Sequence, residues 1–345
     1  MKTALVTGGS GFFGGLLKRH LLEHGWHVVN IDLEHDEDTH KNLLSVQGDI
    51  RDKHVMQTIF AGNTFDTIFH CAAILAHAVK DKNFLWSCNV DGTRSVAEFA
   101  KQFGVKHLVF TSSNCLWGES FGRPIREDDT SNPVEIYGKS KLEGERILQE
   151  YWNDIHIVII RCPTIMDAGR LGLLSILFEF MDEGRKVWVV GGGKNKYQFI
   201  YATDVIDAFI KASEYENSDI FHIGSDNVKP FKDVYQYVID KAGTGARVGN
   251  LPKAPTIAAM KLAYALKLSP LGPYQYKMIA EDAEFDTTKI KEKLDWHPTC
   301  TNEEMLWKAY EYYRKNKSEI YARKDVSAHK QPAKMGVIRI LKWLS

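Results

Sequence analysis

Short apolar runs alternate with stretches of helical period through the first half of the chain. Residues 3–7 (TALVT), 27–32 (HVVNID), 45–49 (SVQGD), 67–71 (TIFHC), 107–111 (HLVFT) and 155–160 (IHIVII) predict buried strands. Between them, the spacing predicts helices near 12–24, 53–61, 84–103 and 136–152. Strands alternating with helices in this way predict a parallel sheet covered on both faces. Right-handed crossovers then make it a doubly wound, Rossmann-type α/β sheet.

Beyond Pro163 the pattern loosens. A helix near 173–182, a strand 186–190, a strand-to-helix unit 198–212, a strand 220–223 and a helix 231–241 follow. Pro252, Pro255, Pro270 and Pro273 punctuate the stretch after Gly249, as a loop-rich substrate region would. Residues 288–294 and 303–315 read as two closing helices. The expected organisation is a cofactor domain over 1–165, to which the chain returns around 198–215. A mainly substrate-binding region covers 166–313, and a basic amphipathic tail covers 314–345.

Composition narrows the class. With 44% hydrophobic and 26% charged residues in 345, wholesale disorder is not expected. Lys+Arg and Asp+Glu balance at 44 each, which argues against nucleic acid as the main partner. The balance is uneven along the chain: residues 314–345 carry nine basic and two acidic side chains. Cys71, Cys88, Cys115, Cys162 and Cys300 are scattered without a C-x-x-C pair, and the thirteen histidines show no metal spacing. Neither a disulfide framework nor a metal site is expected. No apolar run approaches the roughly 20 residues of a spanning helix, and the Met1-Lys2 start lacks signal-peptide architecture. A cytoplasmic protein is the expectation. The tail adds a qualification: residues 335–344 place apolar side chains at helical spacing with Arg339 and Lys342 opposite. Such a segment can lie peripherally on the anionic inner face of a membrane, through 330–345, or pack as an arm on protein.

The cofactor chemistry is written between the first strand and first helix, in Thr7-Gly8-Gly9-Ser10-Gly11-Phe12-Phe13-Gly14. Glycine serves where a turn needs unusual dihedrals, where backbone approaches a pyrophosphate, and where a helix packs closely on a sheet. Asp32 ends the second strand about 20 residues further on, as a ribose-binding carboxylate should. The acidic run after it offers no arginine for a 2′-phosphate, which favours NAD over NADP. Tyr137 and Lys141 stand four apart on a predicted helix, hence on one face. An ammonium there would lower the phenol from its usual pKa of about 10. Thr111-Ser112-Ser113 ends the preceding strand, at the carboxyl edge where doubly wound sheets bind ligands. Ser113 and Tyr137 can then share one substrate oxygen, Tyr137 exchanging its proton during hydride transfer.

At these residues the chain resembles the extended short-chain dehydrogenase/reductases, in their NAD-dependent epimerase/dehydratase branch. The resemblance covers about 1–313. It rests on Thr7–Gly14, Asp32, G-D-I-R-D at 48–52, H-C-A-A at 70–73, Asn89 in N-V-D-G-T, T-S-S at 111–113 and Y-G-K-S-K at 137–141. Arg161-Cys162-Pro163, the stretch 199–205 and K-L-D-W-H-P at 293–298 also match. The resemblance implies that Asp49 and Ile50 flank the adenine and that Ala72 and Ala73 line the pyrophosphate path. It also implies that Lys141 bonds the nicotinamide ribose and that Pro163 abuts the nicotinamide. Asn89 and Thr111 join the cofactor set, although Asn89 reads equally well as a helix cap. A homodimer through the helices at 84–103 and 136–152 is usual for such proteins.

Several positions depart from the family pattern. The 4,6-dehydratases carry an Asp-Glu pair after the active-site hydroxyl; here Asn114 and Cys115 stand there, so sugar dehydration is not expected. Cys115 falls where the 3,5-epimerase-reductases place a catalytic cysteine. Arg170 holds the place of their partner histidine, however, and Cys115 reads as a buried small thiol. The 4-epimerases usually hold the substrate diphosphate with an arginine before 199–204. Tyr197 is found there, with Lys194 and Lys196 offering only flexible ammonium groups. The asparagine expected after Pro163 is Thr164.

Three readings follow. The first is an epimerase-type oxidoreductase acting on a secondary hydroxyl of a sugar linked to a nucleotide or lipid diphosphate. The second is a net dehydrogenase or reductase of a less polar hydroxy or keto substrate, like the 3-beta-hydroxysteroid dehydrogenases. The third is a dinucleotide-sensing protein without catalysis, against which the Ser113–Tyr137–Lys141 set argues.

Overall fold

A computed structural model of the protein describes residues 1–76, 79–266, 268 and 273–322. The tail at 330–345 and Pro270 lie outside them. Seven parallel strands make the main sheet: β1 (Thr3–Thr7), β2 (His27–Asp32), β3 (Leu43–Gln47), β4 (Thr67–His70), β5 (His107–Ser113), β6 (His156–Cys162) and, later in the chain, β10 (Asp219–His222). Their order is β10-β6-β5-β4-β1-β2-β3, a doubly wound sheet. Helices α1 (Phe12–Glu23), α2 (Lys53–Gly62), α3 (Lys82–Gln102) and α4 (Ile136–Gln149) make the crossovers. Alternate strand residues enter different cores. Ala4 and Val6 pack in one cluster with Leu17 and Leu21 of α1, while Leu5 packs in the other with Ile59 and Val96. Burial on both faces explains the near-continuous apolar runs.

The bounds of β3, β5 and β6 differ from expectation for reasons of register, β6 ending at Cys162 rather than 160, and α4 ends at Gln149 rather than near 152. β3 begins two residues early, where it meets β2 through Val28↔Leu43, and ends at Asp32↔Gln47. As a half-exposed edge strand it has the weakest apolar signal of the seven. Gly48, Asp49 and Ile50 therefore form the turn after it, and Asp52 caps α2 by accepting the His54 N–H at 2.8 Å. β5 runs two residues further than expected because it follows β6 as far as Ser113↔Cys162. His70 pairs with Phe110, so β5 carries Ser113 three residues beyond the end of β4.

The later chain builds two short parallel pairs, β7 (Thr164–Met166) with β9 (Phe199–Tyr201) and β8 (Lys186–Val190) with β11 (Arg247–Leu251). Helices α5 (Leu174–Asp182), α6 (Ala202–Ala212) and α7 (Phe231–Ala242) accompany them. The proline-punctuated stretch is not mainly loop. Pro252 precedes α8 (Lys253–Ala265), Pro255 lies in its first turn, and Pro273 opens α9 (Pro273–Ala280). A first-turn N–H has no intrahelical partner, so proline is tolerated there. α10 (Thr288–Leu294), α11 (Asn302–Lys315) and α12 (Lys317–Ala322) follow. No described helix is long and apolar enough to cross a membrane.

A second body of core gathers Met166, Phe178, Phe199, Val234, Leu306 and Tyr310. The segment after α10 ties back to α6. Trp296 is fully buried, its Nε1–H donates to the Asp204 carbonyl at 2.9 Å, and Thr299 donates to the Asp204 carboxylate at 2.6 Å. Trp296→Ala is expected to cost about 3–5 kcal/mol in urea-unfolding stability, since it removes this anchor from the main core.

Candidate active site

The glycine loop follows from close approach. Gly8 has φ +75°, and a Cβ there would stand 2.7 Å from the backbone of Ala72. A Cβ on Gly14 would stand 2.2 Å from the Gly8 carbonyl oxygen. Gly11 is the N-cap of α1, which has no capping side chain and no acidic residue in its first turn. An uncapped, glycine-lined helix start fits a dinucleotide pyrophosphate. Phe12 is half-buried, with the Arg170 guanidinium 5.5 Å over its ring. Phe13 points into the core against Phe209, so only its backbone can serve a cofactor.

Asp32 sits at the carboxyl end of β2, accepting from the backbone N–H groups of Ser10 at 2.9 Å and Glu34 at 3.0 Å. A carboxylate has about four acceptor sites, which leaves capacity for ribose hydroxyls. Sequence reasoning missed the residues that support it. Asn30 Oδ1 accepts the Gly9 N–H at 2.9 Å, and Asn30 Nδ2 donates to Asp36 at 2.7 Å. Lys18, 1% exposed, pairs with Asp36 at 2.5 Å and Asp38 at 2.9 Å, while Arg19 pairs with Asp38. Asp49 holds Arg51 through its guanidinium and N–H, and Ile50 is buried.

At the next strand end, the Thr7 hydroxyl accepts the Ala72 N–H at 3.2 Å; Ala73 beside it is half-buried. Buried His70 bonds Thr7 at 2.7 Å and Thr93 at 2.9 Å, and burial, then the charge of Lys141, lowers its pKa to about 3. Asn89 caps nothing: it lies inside α3, whose N-cap is Asp81. Its amide instead accepts the Ile74 N–H at 2.7 Å and donates to Ser140 at 3.0 Å. It thus fastens the segment after β4 to α4, and its buried side chain acts through that segment.

Ser113 and Tyr137 come together, and Lys141 is buried a turn further along α4. Ser113 accepts the Cys115 N–H at 3.2 Å and lies near enough to the Tyr137 phenol to draw its pKa down. Thr111 lies half-buried two residues before, and Pro163 is buried beyond β6. The expected depression of the phenol by Lys141 is not what the structure has. Burial raises Tyr137 above the ordinary tyrosine range, Cys115 and Cys162 add to this, and Ser113 and Arg170 oppose it. The Lys141 ammonium rests 4.0 Å over the Phe110 ring, where burial brings it down to about 8. Cys115 is half-buried and lines a cleft, not enclosed as expected.

A buried ion pair sets this geometry. Glu145, two turns beyond Tyr137 on α4, accepts from Arg161 Nη2 at 2.7 Å, Arg161 Nε at 3.0 Å and the Ser112 hydroxyl at 2.5 Å. Arg161 also donates to the Glu127 carbonyl at 2.9 Å and lies 5.0 Å over the Trp117 ring. His222, beside it, is held neutral by burial, its pKa lowered to about 3. The sequence signal was faint: an arginine inside an apolar strand and a carboxylate one turn past Lys141.

A cleft opens beside Ser113, against Asn114 and Cys115. Asn114, Cys115, Trp117, Pro163, Tyr197 and Phe285 are among its lining. Three positions that depart from the family pattern meet there: Asn114 Nδ2 donates to the Tyr197 hydroxyl at 3.0 Å, and Thr164 bonds it at 2.9 Å. Lys194 and Lys196 do not take the place of an arginine: both are exposed and neither lines the cleft.

A parallel sheet with this loop, carboxylate and hydroxyl pair at its carboxyl edge defines a dinucleotide-dependent oxidoreductase class. The signature of the NAD dependent epimerase/dehydratase family matches residues 4–224, and the chain belongs to that family as an NAD-dependent enzyme of the extended short-chain type. An uncharacterized protein of Sinorhizobium fredii, y4nG, is 36% identical over 345 residues, covering 99% of this chain and 86% of its own. A UDP-glucose 4-epimerase of Mycolicibacterium smegmatis is 28% identical, over 91% of this chain and 99% of its own. The UDP-glucose 4-epimerase of Thermotoga maritima, solved with UDP-glucose, superposes with a TM-score of 0.74 at 25% identity, over 91% of this chain and 99% of that one.

Two outcomes are expected. Glu145→Gln leaves Arg161 buried without its counter-charge and should cost about 3–5 kcal/mol by urea unfolding. His70→Asn should lose its penalty as pH falls. The folded-state pKa of His70 lies below its unfolded value, so the unfolded chain binds the proton first and wild-type stability drops below pH about 6.5. The wild-type advantage over His70→Asn should narrow by about 2 kcal/mol between pH 7.5 and 5.

Proposed function

We propose that the protein is an epimerase-type oxidoreductase acting on a secondary hydroxyl of a sugar carried on a nucleotide or lipid diphosphate. The observation that carries this reading is the placement of Ser113 at the carboxyl end of β5, near enough to the Tyr137 phenol to draw its pKa down and beside a cleft lined by Asn114, Cys115 and Pro163. Ser113 and Tyr137 would both bond the reacting oxygen. Raised by burial, Tyr137 is protonated at neutral pH. As phenolate it would take the substrate hydroxyl proton while hydride leaves carbon, and as phenol return it when hydride comes back, so the reaction requires bound groups that stabilise the phenolate. Lys141, a helical turn on, would orient the ribose beside it, and Arg170 adds positive charge near the phenol. NAD, when bound, supplies the hydride acceptor and donor. The UDP-glucose 4-epimerases among the relatives support the sugar nucleotide as substrate class.

A second reading, net oxidation or reduction of a less polar hydroxy or keto compound, draws on the Trp117, Ile125, Val134 and Phe285 lining. Mass spectrometry of small molecules released on denaturation separates the two. Stoichiometric NAD is expected for the epimerase; an empty site that turns over added NAD, seen at 340 nm, would transfer the case to the dehydrogenase. Tyr137→Phe should lower turnover by about 10²–10⁴ with NAD content unchanged.

A further inference from the structure

Tyr197 is 1% exposed, and its hydroxyl bonds Asn114, which lines the cleft, and Thr164 behind it. Its partner Asn114 directly follows Ser113, and its partner Thr164 directly follows Pro163. One phenol thus joins the end of β5 to the start of β7 beside the reacting centre. The ring cannot swing away. It stacks on Phe231 with centroids 6.0 Å apart and meets Phe199 edge-on at 5.7 Å. Its carbonyl accepts from buried Asn302 at 2.8 Å, and the Gln198 N–H donates to Ala283 at 2.9 Å.

The charged side chains among the described lining residues are all acidic. Along 193–197, Gly193, Asn195 and Tyr197 are buried while Lys194 and Lys196 are exposed, so both ammonium groups leave from the face opposite Tyr197. The described charged residues lining the cleft are Glu119, Glu135, Glu281 and Asp282, of which Glu281 pairs with Lys253 at 2.9 Å. No lysine or arginine is among the described lining residues. A phosphate pressed against Tyr197 would give up water for neutral donors and neighbouring carboxylates, an unfavourable exchange at short range. Hydroxyl and carboxamide groups pair with such a wall at no such cost.

We infer that the Asn114–Thr164–Tyr197 wall selects its substrate through an uncharged hydroxyl- or amide-bearing group, and that any phosphate the substrate carries is held away from it. This rests on the cleft being the substrate site proposed above. The test is calorimetric titration of UDP, as a soluble diphosphate, into NAD-loaded wild type, Tyr197→Phe and Thr164→Val. The last removes the wall's other hydroxyl at nearly constant volume and serves if Tyr197→Phe does not fold. Expected is binding weaker than about 1 mM, or tighter binding that neither substitution changes. UDP binding in the micromolar range that weakens tenfold or more in either variant would overturn the inference. The proposed reaction fails separately, on turnover that survives Tyr137→Phe.

Discussion

Two full charges, Glu145 and Arg161, are almost completely withdrawn from water at the centre of this molecule. Such burial is unfavourable unless the geometry is close and the remaining hydrogen-bonding capacity is filled. Here the guanidinium meets the carboxylate through two nitrogens, the Ser112 hydroxyl takes a further position, and the Glu127 carbonyl and the Trp117 face take the rest. The partners are the immediate neighbours of the chemistry. Ser112 precedes Ser113, Arg161 stands two before Pro163, and Glu145 shares the buried face of α4 with Lys141. Holding this one pair therefore holds the helix against two strand ends, and a shift of α4 along its axis would break it.

Burial also acts on the reacting groups, and in opposite senses. It lifts the Tyr137 phenol and lowers the Lys141 ammonium, so both are pushed toward their neutral forms. The naive expectation of a lysine that ionises its tyrosine treats the helix face as if it were in water. Inside the fold, the lysine spends its charge on the Phe110 ring and on His70, which it helps to keep neutral. The acid/base poise of the site then depends on what joins it, as much as on the two side chains.

Legibility followed the range of the interactions. The first six strands and the helices between them are visible because each buried strand is a local apolar run. The glycine loop, Asp32 and the Tyr137–Lys141 spacing are legible for the same reason: each is contained in a few consecutive residues. What escaped is long-range or short-lived. β7 is three residues long, too brief for any periodicity, whereas the equally short β9 shows only through the helix that follows it in the unit at 198–212. α8 buries no residue and hides behind its prolines. The Glu145–Arg161 pair, the Asn89 clasp on Ile74 and the Asn114–Tyr197 bond, 83 positions apart, are facts of packing that no local pattern announces.

The environment of Lys18 has a consequence for evolution. On α1, Lys18 is sealed in by Asp36 and Asp38, with Asn30 and Ser45 completing the Asp36 carboxylate. Drift toward a phosphorylated cofactor usually looks like a matter of exchanging surface acids for arginines. In this chain two acids of the run after Asp32, Asp36 and Asp38, are the counter-ions of an interior cation, and stripping them away would strand that cation in the sheet's flank. Replacing that acidic run would therefore cost stability, whereas Asp32 itself carries no such burden.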